Sequence, residues 1–213
     1  MFKKFKTALV LAPHTDDGEL GCGGTLAKLI DEGVDVHYVA FSLCEESLPE
    51  GYEGDVLATE LLNATGQLGI PSSNVTTHDF PVRRLCEHRQ DILEILVKMN
   101  KILQPDVVFM PSLNDIHQDH EAIAREGLRA FKRTTILAYE LIWNNIDYKL
   151  TAINELGQNH IDRKVKALNE YKSQKAKGAQ YLEEEFITSM ARVRGLQINK
   201  KYAEAFEVVR WIM

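Results

Sequence analysis

Short apolar runs alternate with amphipathic stretches along most of this chain. Ala8–Ala12 (ALVLA) is almost wholly apolar, the pattern of a strand covered on both faces in a parallel sheet. Gly24–Glu32 reads as a helix, with Leu26, Leu29 and Ile30 on one side and Gly33 as its stop. Val34–Leu43, β-branched and aromatic, predicts a second strand. Val56–Leu68, closed by Gly69 and Pro71, predicts a helix, and Asn74–Phe80 a third strand. His88–Leu103 sets Ile92, Ile95, Leu96, Met99 and Leu103 at three- and four-residue spacing, an amphipathic helix. A fourth strand follows at Val107–Met110, a helix at Ala122–Phe131 and a fifth strand at Thr135–Tyr139. This alternation predicts right-handed βαβ units: an α/β, mostly parallel open sheet with helices on both faces. Past Tyr139 the rhythm changes. Ile161–Ala179 and Ile187–Arg194 read as helices and Ala205–Ile212 as a late strand. No repeat, low-complexity tract or linker interrupts the pattern, so residues 1–213 are expected to form one domain.

Composition narrows the class without naming a function. At 45% hydrophobic and 26% charged, the 213 residues are those of an ordinary globular protein. A net charge of −6 argues against a nucleic-acid binder and against a polybasic membrane anchor. The opening MFKKFKTALVLAP puts lysines before an apolar run, but that run is strand-sized and is not expected to act as a secretory leader. No apolar stretch approaches the ~18 residues of a membrane span. Cys22, Cys44 and Cys86 are odd in number and widely spaced, which fits a reduced, cytoplasmic protein.

In an open α/β sheet, chemistry sits beyond the carboxyl ends of the strands. After the first strand stands Pro13-His14-Thr15-Asp16-Asp17, and after the fourth stands a loop containing Asn114-Asp115-Ile116-His117-Gln118-Asp119-His120. If the two strands are neighbours, two His/Asp clusters face each other. The glycines 21, 23 and 24 do not make a dinucleotide cradle. They come too late after the strand, and Asp16, Asp17 and Glu19 put negative charge where a pyrophosphate would lie. They are expected to let a loop turn behind the cluster and the next helix pack close to the sheet. A metal explains the cluster better. His14 and Asp17, three apart, can point at one centre, and one imidazole of His117 or His120 completes a two-histidine, one-carboxylate site of the kind catalytic zinc uses. Asp16 can then serve as base, and the remaining histidine as electrophile or acid with Asp119 fixing its tautomer. Such ligation also admits Fe2+.

These residues resemble a known family. HTDDGELGCGGTLAKL resembles the HPDDE…GG signature of the PIG-L/LmbE-like de-N-acetylases, NDIHQDH their HxDH motif, and RGLQINKKYAEAFEVVR their C-terminal segment. The resemblance implies a Rossmann-like fold and zinc-dependent hydrolysis of the acetamide of an N-acetylglucosamine-containing compound. By position it implies His14, Asp17 and His120 as metal ligands and Asp16 as general base. It implies His117 as stabiliser of the tetrahedral intermediate or proton donor to the amine, with Asp119 orienting it. Thr15 and Gly18 depart from the signature. So does Leu57-Ala58-Thr59-Glu60, where many members have Arg-x-x-Glu with the Arg reaching substrate.

Arg83 and Arg84 are candidates to supply the missing cation. Glu140, Trp143, Asn144 and Asn145, after the fifth strand, offer the ring and amides that suit a sugar. The expected partner is therefore a small amino-sugar conjugate, and homo-oligomerisation is left open. Hydrolysis of another amide or an ester, or non-catalytic carbohydrate binding, are the competing functions.

Overall fold

The computed structural model describes residues 5–52 and 54–212; Lys3 and Lys4 of the leader-like segment lie outside them. β1 (Thr7–Ala12) runs through the centre of the sheet because both of its faces are apolar. Ala8, Val10 and Ala12 face one hydrophobic cluster, and Leu9 and Leu11 face another. Around it lie β2 (Asp35–Ala40), β3 (Val75–Thr77), β4 (Val107–Pro111), β5 (Thr135–Tyr139), β6 (Ala152–Leu156) and β7 (Tyr202–Arg210). They form one seven-stranded sheet in the order β3-β2-β1-β4-β5-β7-β6. The first five strands pair in parallel, and β7 runs antiparallel between β5 and β6. This is the α/β, mostly parallel, Rossmann-like architecture expected.

The first cluster is completed by α1 (Asp17–Asp31), α2 (Val56–Leu68), α5 (Gln158–Asn169) and α7 (Glu184–Leu196). On the opposite face lie α3 (Arg89–Leu103) and α4 (Gln118–Ala130). Among the described residues no helix is long and apolar enough to cross a membrane.

Three elements differ from expectation. The first helix begins at Asp17, not Gly24, so its glycines lie in the helix rather than in a loop before it. They are there for close packing: a Cβ on Gly21 would stand 2.3 Å from the Tyr139 ring, and one on Gly24 would stand 2.6 Å from Leu156. The helix is kinked at Cys22 (φ −145°, ψ 15°). The long helix expected over Ile161–Ala179 breaks after Asn169 and resumes as the single turn α6 (Lys172–Lys175), because Tyr171 turns inward and is fully buried. Finally, β6 (AINEL) is an edge strand with mostly half-buried positions, so its apolar alternation is too weak to mark it.

What positions the site is the pairing of β1 with β4, Ala8 beside Val107 through Val10 beside Phe109. From β1 the chain winds outward through β2 and β3, and from β4 it winds the other way through β5. The two His/Asp loops therefore open side by side at the point where the winding reverses.

Candidate active site

The turn after β1 is tight. The His14 amide donates to Asp17 Oδ2 at 2.8 Å, and the Thr15 carbonyl accepts from the buried hydroxyls of Tyr38 (2.9 Å) and Tyr171 (2.7 Å). Across from it, His117 caps α4: its Nδ1 accepts from the Asp119 amide at 3.2 Å, while its own amide donates to Asp115 Oδ1 at 2.9 Å. The first turn of α4 then turns His120 inward.

Three ring atoms and one carboxylate meet between these loops. His14, His117 and His120 each offer a ring nitrogen, all within 4.8 Å of one another, a group that can hold a metal ion. His14 Nδ1 is 3.1 Å from Asp17 Oδ2 and 3.2 Å from His120 Nε2, which is in turn 3.3 Å from the same Asp17 oxygen. Two further carboxylates stand behind the imidazoles. Asp119 Oδ2 lies 3.0 Å from His14 Nε2, and Asp115 Oδ2 lies 2.8 Å from His120 Nδ1. Each takes a ring N–H, so when the imidazole is neutral its opposite nitrogen carries a lone pair aimed at Asp17 Oδ2. With both rings neutral three acceptors face one another, which is the environment a cation satisfies.

Asp119 does not act on His117 as expected. Its carboxylate sits on His14 and also accepts the amides of Arg83 (2.5 Å) and Leu85 (3.1 Å); only its backbone N–H reaches His117. Asp115 is not singled out by the sequence, because motif spacing draws attention to the histidines and not to the acid two residues before them.

Charge follows geometry. Burial by itself lowers the imidazole of His14, but the Asp17 charge and the bonds to Asp119 and Asp17 outweigh it and lift the group to about 9. For His120 burial again opposes, and Asp17 and Asp115 raise it to about 10. Asp17, despite burial, is held far below the usual carboxylate range by the two histidines. Asp16 goes the other way: burial, then the neighbouring Asp17 charge, push it up to about 6. His117 is lowered by burial and by the other two histidines, so it is neutral at neutral pH. Because its Nδ1 accepts a hydrogen bond, its proton is on Nε2.

A pocket of about 330 Å³ opens over this cluster, walled by His14, Asp16, Asp17, His117 and His120 and by Trp143, Asn144 and Tyr181. Trp143 stacks on Tyr181, ring centroids 4.8 Å apart, leaving an aromatic surface at the mouth. Leu57, at the position where a resembling sequence carries arginine, is on the wall. Arg83 reaches Ser47 at the rim, whereas Arg84 is exposed with no carboxylate partner among the described residues. Glu140 is not at the pocket. It forms an ion pair with Arg194 and lines a smaller adjoining apolar cavity. Asn145 is buried, its Oδ1 accepting from the Leu141 amide at 2.6 Å.

The kink in α1 is braced from the far end of the chain. Glu204, in β7, accepts from the amides of Gly24 (3.0 Å) and Thr25 (2.7 Å), so its carboxylate caps the second half of the kinked helix. Lys164 donates to Glu204 at 2.7 Å and to the Leu20 carbonyl at 2.7 Å. The backbone groups that the bend frees are thereby satisfied, and the start of α1 is fixed with the His14–Asp17 turn.

The chain belongs to the PIG-L family: the family model, GlcNAc-PI de-N-acetylase, matches residues 9–131, the span that holds both His/Asp loops. Diacetylchitobiose deacetylase of Thermococcus kodakarensis is 25% identical over 172 residues, 64% of this chain; the match spans only 56% of that protein's length. The conserved protein TT1542 from Thermus thermophilus superposes with a TM-score of 0.80 at 26% identity, over 97% of this chain and 95% of that one. GalB, the 4-carboxy-2-hydroxymuconate hydratase of Pseudomonas putida KT2440, gives 0.81 at 22% identity, over 98% of both chains. That last likeness is one of fold.

Proposed function

We propose that this protein is a zinc-dependent hydrolase that removes the acetyl group from an N-acetylated amino sugar or its conjugate, releasing acetate and a free amine. The observation that carries the reading is the triangle of His14 Nδ1, Asp17 Oδ2 and His120 Nε2, with sides of 3.1, 3.2 and 3.3 Å. Ligands at zinc's usual bond lengths around a tetrahedron stand roughly 3.3 Å apart, so these three residues fit the ion as its protein ligands. The same donor set suits Fe2+ as well. A divalent ion held there supplies Lewis acidity, polarising a carbonyl and making hydroxide available near neutral pH.

The remaining steps belong to the chain. Asp16, with its carboxyl near 6, takes the proton from the water that attacks the acetamide carbon. His117, neutral with its proton on Nε2, donates a hydrogen bond to the carbonyl oxygen as negative charge develops there. The proton held by Asp16 then passes to the nitrogen, the C–N bond breaks, and amine and acetate leave. Asp119 and Asp115 fix the imidazoles of His14 and His120. Trp143 offers a ring for the apolar face of a sugar, and Asn144 a side-chain amide for its hydroxyls.

The test is acetate release from a panel of N-acetylhexosamine conjugates by zinc-loaded protein, with Asp16→Ala as control. Turnover that survives Asp16→Ala would refute the mechanism. Activity on esters with none on any acetamide would replace the substrate class.

A further inference from the structure

Residues 141–145, which follow β5, form a turn closed on Leu141 from both sides of its peptide. The Leu141 carbonyl accepts the amides of Asn144 and Asn145 at 2.9 and 3.0 Å, and the Leu141 amide donates to Asn145 Oδ1 at 2.6 Å. Leu141 and Asn145 are buried, whereas Ile142 and Trp143 between them are 47% and 40% exposed. The core therefore grips the two ends of the turn and not the side chains at its tip. Asn145 Nδ2, though buried, has no acceptor among the described residues. What this side chain supplies is thus the Oδ1 bond, and without it a buried backbone N–H loses its partner. The other end of the turn is fixed one residue earlier, where Glu140 pairs with Arg194.

The turn meets the site in two places. Trp143 is on the pocket wall, stacked on Tyr181 and tilted against Phe186, with centroids 4.8 and 6.0 Å away. On the other side the Asn144 carbonyl accepts the Ile116 amide at 3.2 Å, one residue before His117. His117 in turn caps α4. A displaced turn therefore moves an aromatic ring at the mouth and the backbone that presents an imidazole on the floor.

We infer that Asn145 is a positioning residue: by closing the turn it sets Trp143 at the mouth and, through Asn144 and Ile116, holds the backbone that presents His117. What Trp143 and His117 do to substrate rests on the deacetylase reading; the hold that Asn145 has on them does not.

Asn145→Ala and Asn145→Leu both remove the acceptor, the first without bulk and the second at about the size of asparagine. With zinc-loaded protein and the best-cleaved N-acetylhexosamine conjugate, kcat/KM should fall about 10–100-fold, through a higher KM and a lower kcat together. Zinc affinity should be unchanged, because His14, Asp17 and His120 lie outside the turn. In a Trp143→Ala background the effect on KM should disappear, and in a His117→Ala background the effect on kcat. Trp211→Phe leaves Trp143 as the one tryptophan of the chain. Acrylamide quenching of its emission should rise about twofold or more in the Asn145 variants, as the turn opens locally. Additive effects in both cycles, zinc affinity lost in proportion to activity, unchanged quenching, or failure of both variants to fold would each overturn the inference. Quenching is read without substrate. Wild-type protein that releases no acetate therefore counts against the deacetylase reading alone, and quenching then decides whether Asn145 holds the turn.

Discussion

Asp115 Oδ2 lies 2.8 Å from His120 Nδ1, with both side chains almost completely buried. The pair repeats, on the other loop's histidine, what Asp119 does for His14. Holding a ring N–H in this way fixes which nitrogen faces Asp17. Asp115→Asn and Asp119→Asn should therefore each weaken zinc binding by roughly 10–100-fold. Competition with a chromophoric chelator measures it, and unchanged affinity in both variants would show that these carboxylates do not orient ligands.

Metal and protons compete for the same lone pairs. His14 and His120 are raised to about 9 and about 10 without a metal, so both are charged at pH 7 and must be neutral to ligate. Uptake of zinc at pH 7 should release about two protons, and affinity should climb with pH until those values are passed. Calorimetry in buffers of different ionisation enthalpy counts the protons. A count of zero would place the metal elsewhere.

Gly21→Ala should destabilise the protein by about 1–3 kcal/mol, because its Cβ would enter the Tyr139 ring. That ring cannot swing aside freely, since its hydroxyl is bonded to the Leu11 carbonyl at 2.9 Å. Gly66→Ala is the matched control in α2. Nothing lies within 4 Å of its Cβ, and it should gain up to about 1 kcal/mol from helix propensity. Chemical denaturation that ranks the two variants the other way would contradict the packing described.

Lys164 and Glu204 form a buried pair, so removing one partner strands the other. Lys164→Met or Glu204→Gln should each cost about 3–5 kcal/mol, and the double variant clearly less than the sum of the two. Additive losses in that cycle would mean that the two residues act independently.

Glu19 is wholly buried against Tyr38 and Tyr171, and burial pushes its carboxyl up to about 8. The folded state thus holds a proton that the unfolded chain gives up near 4.5, and wild-type stability falls as pH rises between those values. Glu19→Gln has no proton to lose. Its melting temperature should gain on that of the wild type from pH 5 to pH 8, then run parallel. A constant difference across that range would mean that Glu19 ionises normally in the fold.

The parallel half of the sheet is legible in the sequence because a strand covered on both faces must be apolar throughout, as β1 and β4 are. The cluster is legible because it stands where such strands end. What escapes depends on distant residues. Gly21, expected in a loop before the helix, lies inside α1, where the Tyr139 ring leaves no room for a side chain. β6 exposes too much of itself to carry a pattern. Glu140 reads as a sugar contact in sequence, but Arg194, 54 residues away, holds it.

The brace at the kink also bears on how the site comes into being. Every residue of the triangle has been made by His120, and the stretch matched by the family model ends soon after, at residue 131. Glu204 bonds Gly24 from 180 residues downstream, within a strand that joins the sheet between β5 and β6. The donors are thus written early in the chain, and the rigidity that keeps them converged arrives last.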